Sequence, residues 1–127
     1  MPFEGLKHVH LKVADIERSI RFYTEGFGMQ LSQSRFDGQL VALTTPGVGD
    51  TLALSRGVPT GMIDFTGDPR VADMGGVDHI GFVLSDASEL DATIRSLVGL
   101  GATVITRPPD NNKTAFLVDP DGYVVQI

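Results

Sequence analysis

Apolar and polar residues alternate over residues 8–13, which is the pattern of a β-strand with one buried face. The apolar positions are Val9, Leu11 and Val13, and the polar positions are His8, His10 and Lys12. We expect the apolar face to pack against a helix. The polar face carries two histidines close together, and this composition favours a solvated or functional surface.

The period then changes to that of a helix. One helical stripe is formed by Ile16, Ile20, Tyr23 and Phe27. Asp15 is a typical N-cap for this helix, and Gly26 and Gly28 are expected to end it. The predicted strands that follow are Gln30–Arg35, Leu40–Thr44 and Thr51–Ser55. An Asp-Gly hairpin signal separates the first two, so the first half is predicted to be βαβββ.

The same plan returns in the second half of the chain. Residues 79–86, like residues 8–15, begin with His and end with Asp seven residues later. The predicted strands are His79–Val83, Thr103–Thr106, Thr114–Val118 and Tyr123–Ile127. Between the first two strands we expect a helix capped by Asp86 or Ser88, with the apolar stripe Leu90, Ile94 and Leu97. Residues 119–122, Asp-Pro-Asp-Gly, have the composition of a β-turn.

A strand that opens on a histidine and leads into a capped helix, used twice, indicates a duplicated fold. We expect an α+β fold made of two βαβββ modules. Module 1 is expected at about 6–56, a connecting loop at 57–77 and module 2 at about 78–127, all within a single domain, 1–127. The connecting stretch is rich in Gly, Pro and Asp, and a loop of this length is often functional.

Composition narrows the class of protein. A formal net charge of −6 argues against nucleic acid or an anionic membrane as a partner, because both require a basic surface. No apolar run approaches the roughly 18 residues of a membrane span, and the first residues lack the pattern of a signal peptide. The absence of cysteine excludes disulfides, thiol nucleophiles and cysteine metal sites. We therefore expect a cytoplasmic protein.

The two βαβββ halves, the histidine that opens each of them and the Asp-Pro-Asp-Gly hairpin resemble the vicinal oxygen chelate superfamily. This group contains glyoxalase I, the bleomycin-resistance proteins, the extradiol dioxygenases and the fosfomycin-resistance thiol transferases. The resemblance covers about residues 6–127 and rests on the stretches 8–23, 78–86 and 116–126. It implies that the two modules form a half-open mixed β-barrel around a small-molecule substrate or ligand. It also implies a homodimer whose sites are shared between subunits.

The resemblance further implies a metal site. In the metal-dependent members, one divalent ion is held by the histidine that opens each half and by a glutamate four residues after the glycine of the last hairpin turn. Those positions fall here on His8, His79 and Gln126, and they leave Fe, Zn, Ni and Mn equally open. A fourth ligand, used by glyoxalase I, would fall on Ala53, which offers no donor.

Gln126 weighs on the chemistry because it is an amide where the family pattern has a carboxylate. An amide oxygen coordinates a metal more weakly than a carboxylate does, and it does not take up a proton at useful pH. A glyoxalase reaction through a carboxylate base is therefore not favoured. The candidate substrate contacts are His10, on the face of His8, and Thr114 and Phe116, which alternate onto one strand face.

Three functions stay open from the sequence. The first is a metal-dependent lyase or dioxygenase in which the ion acts as a Lewis acid on a substrate with vicinal oxygens. The second is a metal-free protein that binds a small molecule or antibiotic, as the bleomycin-resistance proteins do, and Gln126 and Ala53 favour it. The third is a structural or regulatory domain with an inert cup. The identity of the substrate does not follow from the sequence.

Overall fold

The computed structural model describes residues 2, 4–57, 79–108 and 112–127. The chain divides into two compact units, Met1–Val58 and Pro59–Ile127. Within the described residues each unit has one α-helix and one four-stranded mixed sheet, so the predicted α+β fold of two βαβββ modules is confirmed. The predicted connecting loop lies outside the described residues from position 58 onward.

The first unit follows the predicted order of elements. These are strand β1 (His8–Val13), helix α1 (Ile16–Phe27) and strands β2 (Gln30–Arg35), β3 (Leu40–Thr44) and β4 (Thr51–Arg56). The sheet order is β1-β4-β3-β2, with β1 parallel to β4 and the other pairs antiparallel. Strand β4 is one residue longer than predicted, and the other bounds agree with the prediction.

Helix α1 begins after the predicted cap and ends at Gly28, one of the two glycines predicted to end it, whereas Gly26 lies inside the helix. The Asp15 carboxylate accepts a hydrogen bond from the Arg18 N–H at 3.0 Å, and Gly28 ends the helix with a φ of 70°. The predicted apolar stripe is wrong in part, because the buried residues are Ile16, Ser19, Phe22 and Tyr23. Ile20 and Phe27 are only half-buried. Residues three or four positions apart lie on the same side of a helix, so the buried side of α1 runs from Ile16 through Ser19 to Phe22 and Tyr23.

The core of the first unit lies between α1 and the apolar face of the sheet. Its buried strand residues are Leu11, Val13, Val41, Leu43, Leu52 and Leu54. The Phe22 and Tyr23 rings of α1 pack edge to face, with centroids 5.0 Å apart. Since side chains alternate along a strand, burial of Leu11 and Val13 directs the neighbouring histidines to the opposite, exposed face.

The second unit repeats this topology strand for strand. Its elements are strand β5 (Ile80–Gly81), a 3₁₀ turn (Ala87–Glu89), helix α2 (Leu90–Gly99) and strands β6 (Thr103–Thr106), β7 (Phe116–Val118) and β8 (Val124–Gln126). The sheet order is β5-β8-β7-β6, with β5 parallel to β8 and the other pairs antiparallel. Within the described ranges, no helix has both the length and the apolar character needed to cross a membrane.

Three strands of the second unit are shorter than predicted. The sequence predicts His79–Val83, but β5 has two residues, because Gly81 contributes no side chain to the sheet and Val83 is 98% exposed. Strands β7 and β8 also start later than predicted. Their ladder nevertheless continues, since Ala115 and Ile127 exchange backbone hydrogen bonds of 2.9 and 3.0 Å.

Asp86 is a cap, as predicted, but it caps the 3₁₀ turn and not α2. Its carboxylate accepts hydrogen bonds from the Ser88 hydroxyl at 2.7 Å and from the Ser88 N–H at 2.9 Å. These two bonds favour the ionised carboxylate, so they hold the pKa of Asp86 below its usual value. Helix α2 starts directly after the turn, and its predicted stripe of Leu90, Ile94 and Leu97 is buried.

Residues 119–122 form the predicted turn between β7 and β8. The buried Asp119 carboxylate accepts hydrogen bonds from the N–H groups of Asp121 and Tyr123, both at 2.9 Å. Gly122 has a φ of 95°, and its N–H donates to the Asp119 carbonyl at 3.0 Å. This closed turn sets the register of the hairpin, in which Phe116 pairs with Gln126.

Candidate functional site

The exposed side of the first sheet carries the two histidines of β1, and we call it the histidine face. Cross-strand pairing assigns to this face His8, His10, Lys12, Gln33, Arg35, Leu40, Ala42, Thr51, Ala53 and Ser55. Among these described positions there is no Asp or Glu, although the chain as a whole has a net charge of −6. The face is therefore neutral to basic within an acidic protein.

The middle row of the histidine face runs across all four strands. His10 pairs with Ala53, Ala53 with Ala42, and Ala42 with Gln33. Two adjacent alanines leave space above the sheet between the longer side chains of His10 and Gln33. Ala53 stands where the resemblance would put a fourth metal ligand, and its methyl group offers no donor atom.

Ser55 holds the ring of His10. The His10 Nε2 atom lies 2.7 Å from the Ser55 hydroxyl oxygen, and Ser55 itself is 6% exposed. Sequence reasoning missed this contact. It depends on the parallel register of β1 and β4, which places Ser55 beside Lys12 and diagonal to His10. The exposed His8 lies on the same face, one row away, and pairs with Thr51.

The matching side of the second sheet brings three predicted site residues together. We call it the amide face, and it comprises His79, Gly81, Thr103, Thr106, Phe116, Val118, Val124 and Gln126. Gly81 pairs with Gln126, and Gln126 pairs with Phe116. These described positions also contain no Asp or Glu.

The rings of His79 and Phe116 contact each other on the amide face. Their centroids are 5.2 Å apart and their planes are 87° apart, which is an edge-to-face contact. This packing holds the imidazole, which directly precedes β5, beside the Phe116 ring of β7. Phe116, predicted as a substrate contact, therefore also supports a predicted metal ligand.

The side-chain amide of Gln126 is also held in place. Its Nε2 atom donates to the Thr114 hydroxyl oxygen at 3.1 Å, and the Thr114 hydroxyl donates to the Ile127 carbonyl oxygen at 2.7 Å. Thr114 is 9% exposed, and Gln126 is half-buried. Thr114, predicted as a substrate contact, thus bonds two residues of its own module.

The residue two positions after the first histidine has the same place in the strand pairing of both units. In the first unit His10, two residues after His8, pairs with Ala53 of the last strand. In the second unit Gly81, two residues after His79, pairs with Gln126 of the last strand. Ala53 and Gln126 are therefore equivalent positions. Across the described residues, no group of three or more His, Asp or Glu side chains is arranged to hold a metal ion.

Comparison with known proteins gives a family and a fold. The family model described as Glyoxalase/Bleomycin resistance protein/Dioxygenase superfamily matches residues 5–127. A probable lactoylglutathione lyase of Vibrio cholerae is 30% identical over 126 residues, which cover 94% of this chain and 86% of the relative. A lactoylglutathione lyase of Salmonella typhimurium is 31% identical over 128 residues, which cover 96% and 90%.

A solved structure shares the fold at low sequence identity. It is a glutamate-to-glutamine variant of the fosfomycin resistance protein FosX from Listeria monocytogenes, in complex with Mn(II) and 1S,2S-dihydroxypropylphosphonic acid. The TM-score is 0.76 at 16% identity, and the alignment covers 98% of this chain and 88% of FosX. This similarity extends over the fold of nearly the whole chain.

Proposed function

The chain belongs to the Glyoxalase/Bleomycin resistance protein/Dioxygenase superfamily, and we propose that it is an enzyme that binds one divalent metal ion and a small molecule with two neighbouring oxygens. The proposed metal ligands are His8, His79 and Gln126. The observation that carries this proposal is that each histidine lies two residues before a strand position, His10 or Gly81, that pairs with an equivalent position of the last strand of its unit, Ala53 or Gln126. Identical placement in a duplicated fold is typical of a shared role.

The chemistry of this donor set fits a borderline divalent ion. Imidazole nitrogen suits Zn, Ni and Fe, and an amide oxygen is accepted by harder ions such as Mn. All three donors are neutral, so they leave the double positive charge of an ion uncompensated. A bound ion would supply Lewis acidity to the oxygens of the substrate. Gln126 cannot accept a proton there, so we assign it the role of a ligand and not of a base.

Charge indicates the class of substrate. Neither the histidine face nor the amide face contains an Asp or Glu at its described positions, and Lys12 and Arg35 add positive charge to the first. An anionic molecule is favoured in such a place. The ligand named in the FosX structure, a dihydroxypropylphosphonic acid, combines neighbouring oxygens with negative charge. We propose a substrate of this type for the present chain.

The proposed contacts of the substrate follow from the positions of the side chains. The His10 ring is tied by Ser55 and lies in the row next to His8, so it is placed to donate or accept a hydrogen bond. Phe116 offers an apolar ring beside His79.

Family members of this size are expected to dimerise, and we propose a homodimer of single-domain chains with shared sites. A monomeric mass in sedimentation at micromolar concentration would contradict the dimer.

Metal stoichiometry tests the proposed ligands. Protein purified without chelator is supplemented separately with Mn(II), Fe(II), Ni(II) and Zn(II), and bound metal is measured by mass spectrometry. We expect about one ion per chain for the wild type and below about 0.1 for His8→Ala and His79→Ala. His10→Ala is the matched control and should retain the metal. A wild type that holds less than about 0.1 of every ion would refute the proposal.

A second candidate function is a metal-free binding protein for a small molecule. The observation that favours it is the absence of a charged donor at both equivalent positions, Ala53 and Gln126. Calorimetry with dihydroxypropylphosphonic acid and with lactoylglutathione, in the presence of EDTA or Mn(II), separates the two functions. Binding that needs Mn(II) supports the enzyme, and binding of equal affinity in EDTA supports the metal-free protein.

A further inference from the structure

Thr114 lies between the Gln126 amide and the last described backbone carbonyl. Its hydroxyl oxygen is 2.7 Å from the Ile127 carbonyl oxygen and 3.1 Å from Gln126 Nε2. The Ile127 carbonyl also accepts the Ala115 N–H at 2.9 Å, so its position is fixed by the β7–β8 ladder. The contact of Gln126 with Thr114 is thus anchored to backbone and not to another mobile side chain.

The hydrogen of the Thr114 hydroxyl decides which end of the amide faces it. A carbonyl oxygen only accepts, so the single hydroxyl hydrogen must point to Ile127. Toward Gln126 the hydroxyl oxygen then only accepts, and the amide atom beside it must be the NH₂ nitrogen. This chemical argument fixes the orientation of an amide whose two ends otherwise have nearly the same shape.

Orientation of the nitrogen fixes the oxygen as well. The two ends of a planar amide point in different directions, so Gln126 Oε1 is turned away from Thr114. Among the described residues, this oxygen accepts no hydrogen bond. Gly81, which pairs with Gln126, has no side chain. A Cβ added at this position would meet only the Gln126 backbone oxygen, at 4.0 Å, so Gly81 leaves space beside Gln126.

We propose that Thr114 is a positioning residue that turns the amide oxygen of Gln126 toward the proposed metal. This inference rests on the proposed function and deepens it. It assigns to Thr114 a role in the metal site in place of the predicted contact with substrate. The β-branched side chain of Thr is stiff at χ1, which suits a residue that has to hold its hydroxyl in one direction.

The test compares Thr114→Val, which keeps the shape and removes the hydroxyl, with Thr114→Ser, which keeps the hydroxyl. The first readout is the affinity for Mn(II), measured from the electron paramagnetic resonance signal of the free ion. We expect Thr114→Val to weaken binding by about 10-fold, and Thr114→Ser to remain within about twofold of the wild type. Thr114→Ala, with the same expected loss, replaces Thr114→Val if that variant fails to fold.

The second readout is the side-chain NH₂ signal of Gln126 in ¹H–¹⁵N spectra of metal-free protein. We expect it to shift and to exchange faster with water in Thr114→Val, and to stay near its wild-type position in Thr114→Ser. Unchanged Mn(II) affinity in Thr114→Val, or an equal loss in both variants, would overturn the inference.

The two readouts separate this inference from the proposed function. If the wild type binds no Mn(II) but the Gln126 signal responds to Thr114→Val, the proposed metal site fails while the orientation of the amide stands. If the wild type binds Mn(II) and neither readout responds to Thr114→Val, the inference fails while the proposed function stands.

Discussion

The Nε2 atom of His10 and the Oγ atom of Ser55 lie 2.7 Å apart, although the two residues are 45 positions apart in the sequence. Parallel pairing of β1 with β4 brings them together on the histidine face. Ser55 is nearly buried, whereas His10 is exposed. The buried hydroxyl therefore restricts a ring that is otherwise free to rotate into solvent, and it orients that ring before any ligand arrives.

Ser55→Ala should lower the free energy of unfolding by about 1 kcal/mol, because one hydrogen bond of a nearly buried hydroxyl is lost. Chemical denaturation measures this change. Ser32→Ala is the matched control, since the Ser32 hydroxyl donates to the Ala42 carbonyl at 3.0 Å from an exposed position of the same sheet. It should cost less than about 0.5 kcal/mol. Equal losses in the two variants would contradict the structural role of Ser55.

Gln126→Glu should have opposite effects on metal affinity and on stability. A carboxylate adds the negative charge that the proposed site lacks, so Mn(II) should bind at least about 10-fold more tightly. In metal-free protein the carboxylate only accepts, so the Thr114 hydroxyl has to abandon Ile127 to bond it, and about 1 kcal/mol of stability should be lost. Titration with Mn(II) and urea denaturation measure the two effects. A rise in both Mn(II) affinity and stability, or a fall in both, would contradict this account.

Ser88→Ala should raise the pKa of Asp86 toward its usual value, because it removes the hydroxyl that is the largest cause of the lowering. Folding lowers the pKa of this carboxyl, so the ionised group stabilises the protein at pH values above its usual pKa, near 3.8. This contribution is lost as the pH falls through the lower pKa of the folded state. Titration of the Asp86 carboxyl carbon by NMR checks the direction. Ser96→Ala, at an exposed position of α2, should leave the Asp86 titration unchanged.

Phe36 is in an unfavourable backbone conformation at the tip of the β2–β3 hairpin. Its φ is 53°, in the left-handed region that bulky residues rarely adopt, and its side chain is 75% exposed. Phe36→Asn should therefore stabilise the protein by about 0.5–1 kcal/mol, since Asn tolerates this region and little packing is lost. Val48→Asn is the control, because Val48 is 65% exposed and has no positive φ. A stability gain of the same size in Val48→Asn would show that the exposure of the side chain, and not the backbone conformation, causes the effect.

The alternation and helical period of the sequence were sufficient to predict the order and the bounds of the elements in the first unit. Strands β1, β3 and β4 alternate between more and less buried residues, whereas β2 is exposed throughout and its place followed from the hairpin signal before β3. The same patterns were less reliable for β5, where the apolar residues up to Val83 imply a longer strand than the sheet accepts. The length of an edge strand depends on its neighbour. That pairing is a tertiary property and is absent from the local pattern.

The candidate residues could be chosen from the sequence, but their interactions could not. The repeated histidine offset pointed to His8 and His79. Nothing in the spacing of residues 55 and 10 or of residues 114 and 126 indicates a hydrogen bond, because both contacts depend on strand register. Register here follows from the turn geometry and from which face is buried.

Side-chain size is distributed in opposite ways in the equivalent rows of the two sheets. In the first unit the large side chain is on β1, at His10, and its neighbour Ala53 is small. In the second unit the small residue is on β5, at Gly81, and its neighbour Gln126 is large. Ala53→Gln alone should therefore place a long side chain against the His10 ring and lower the free energy of unfolding by up to about 1 kcal/mol, and His10→Ala should relieve much of that loss in a double-mutant cycle. Additive effects of the two changes would contradict this.

This reciprocity limits the evolutionary routes that are open to the chain. If the double-mutant cycle shows this coupling, a new donor group at position 53 competes for space with the histidine at position 10. A change of chemistry in the first unit would then require paired substitutions on the neighbouring strands β1 and β4.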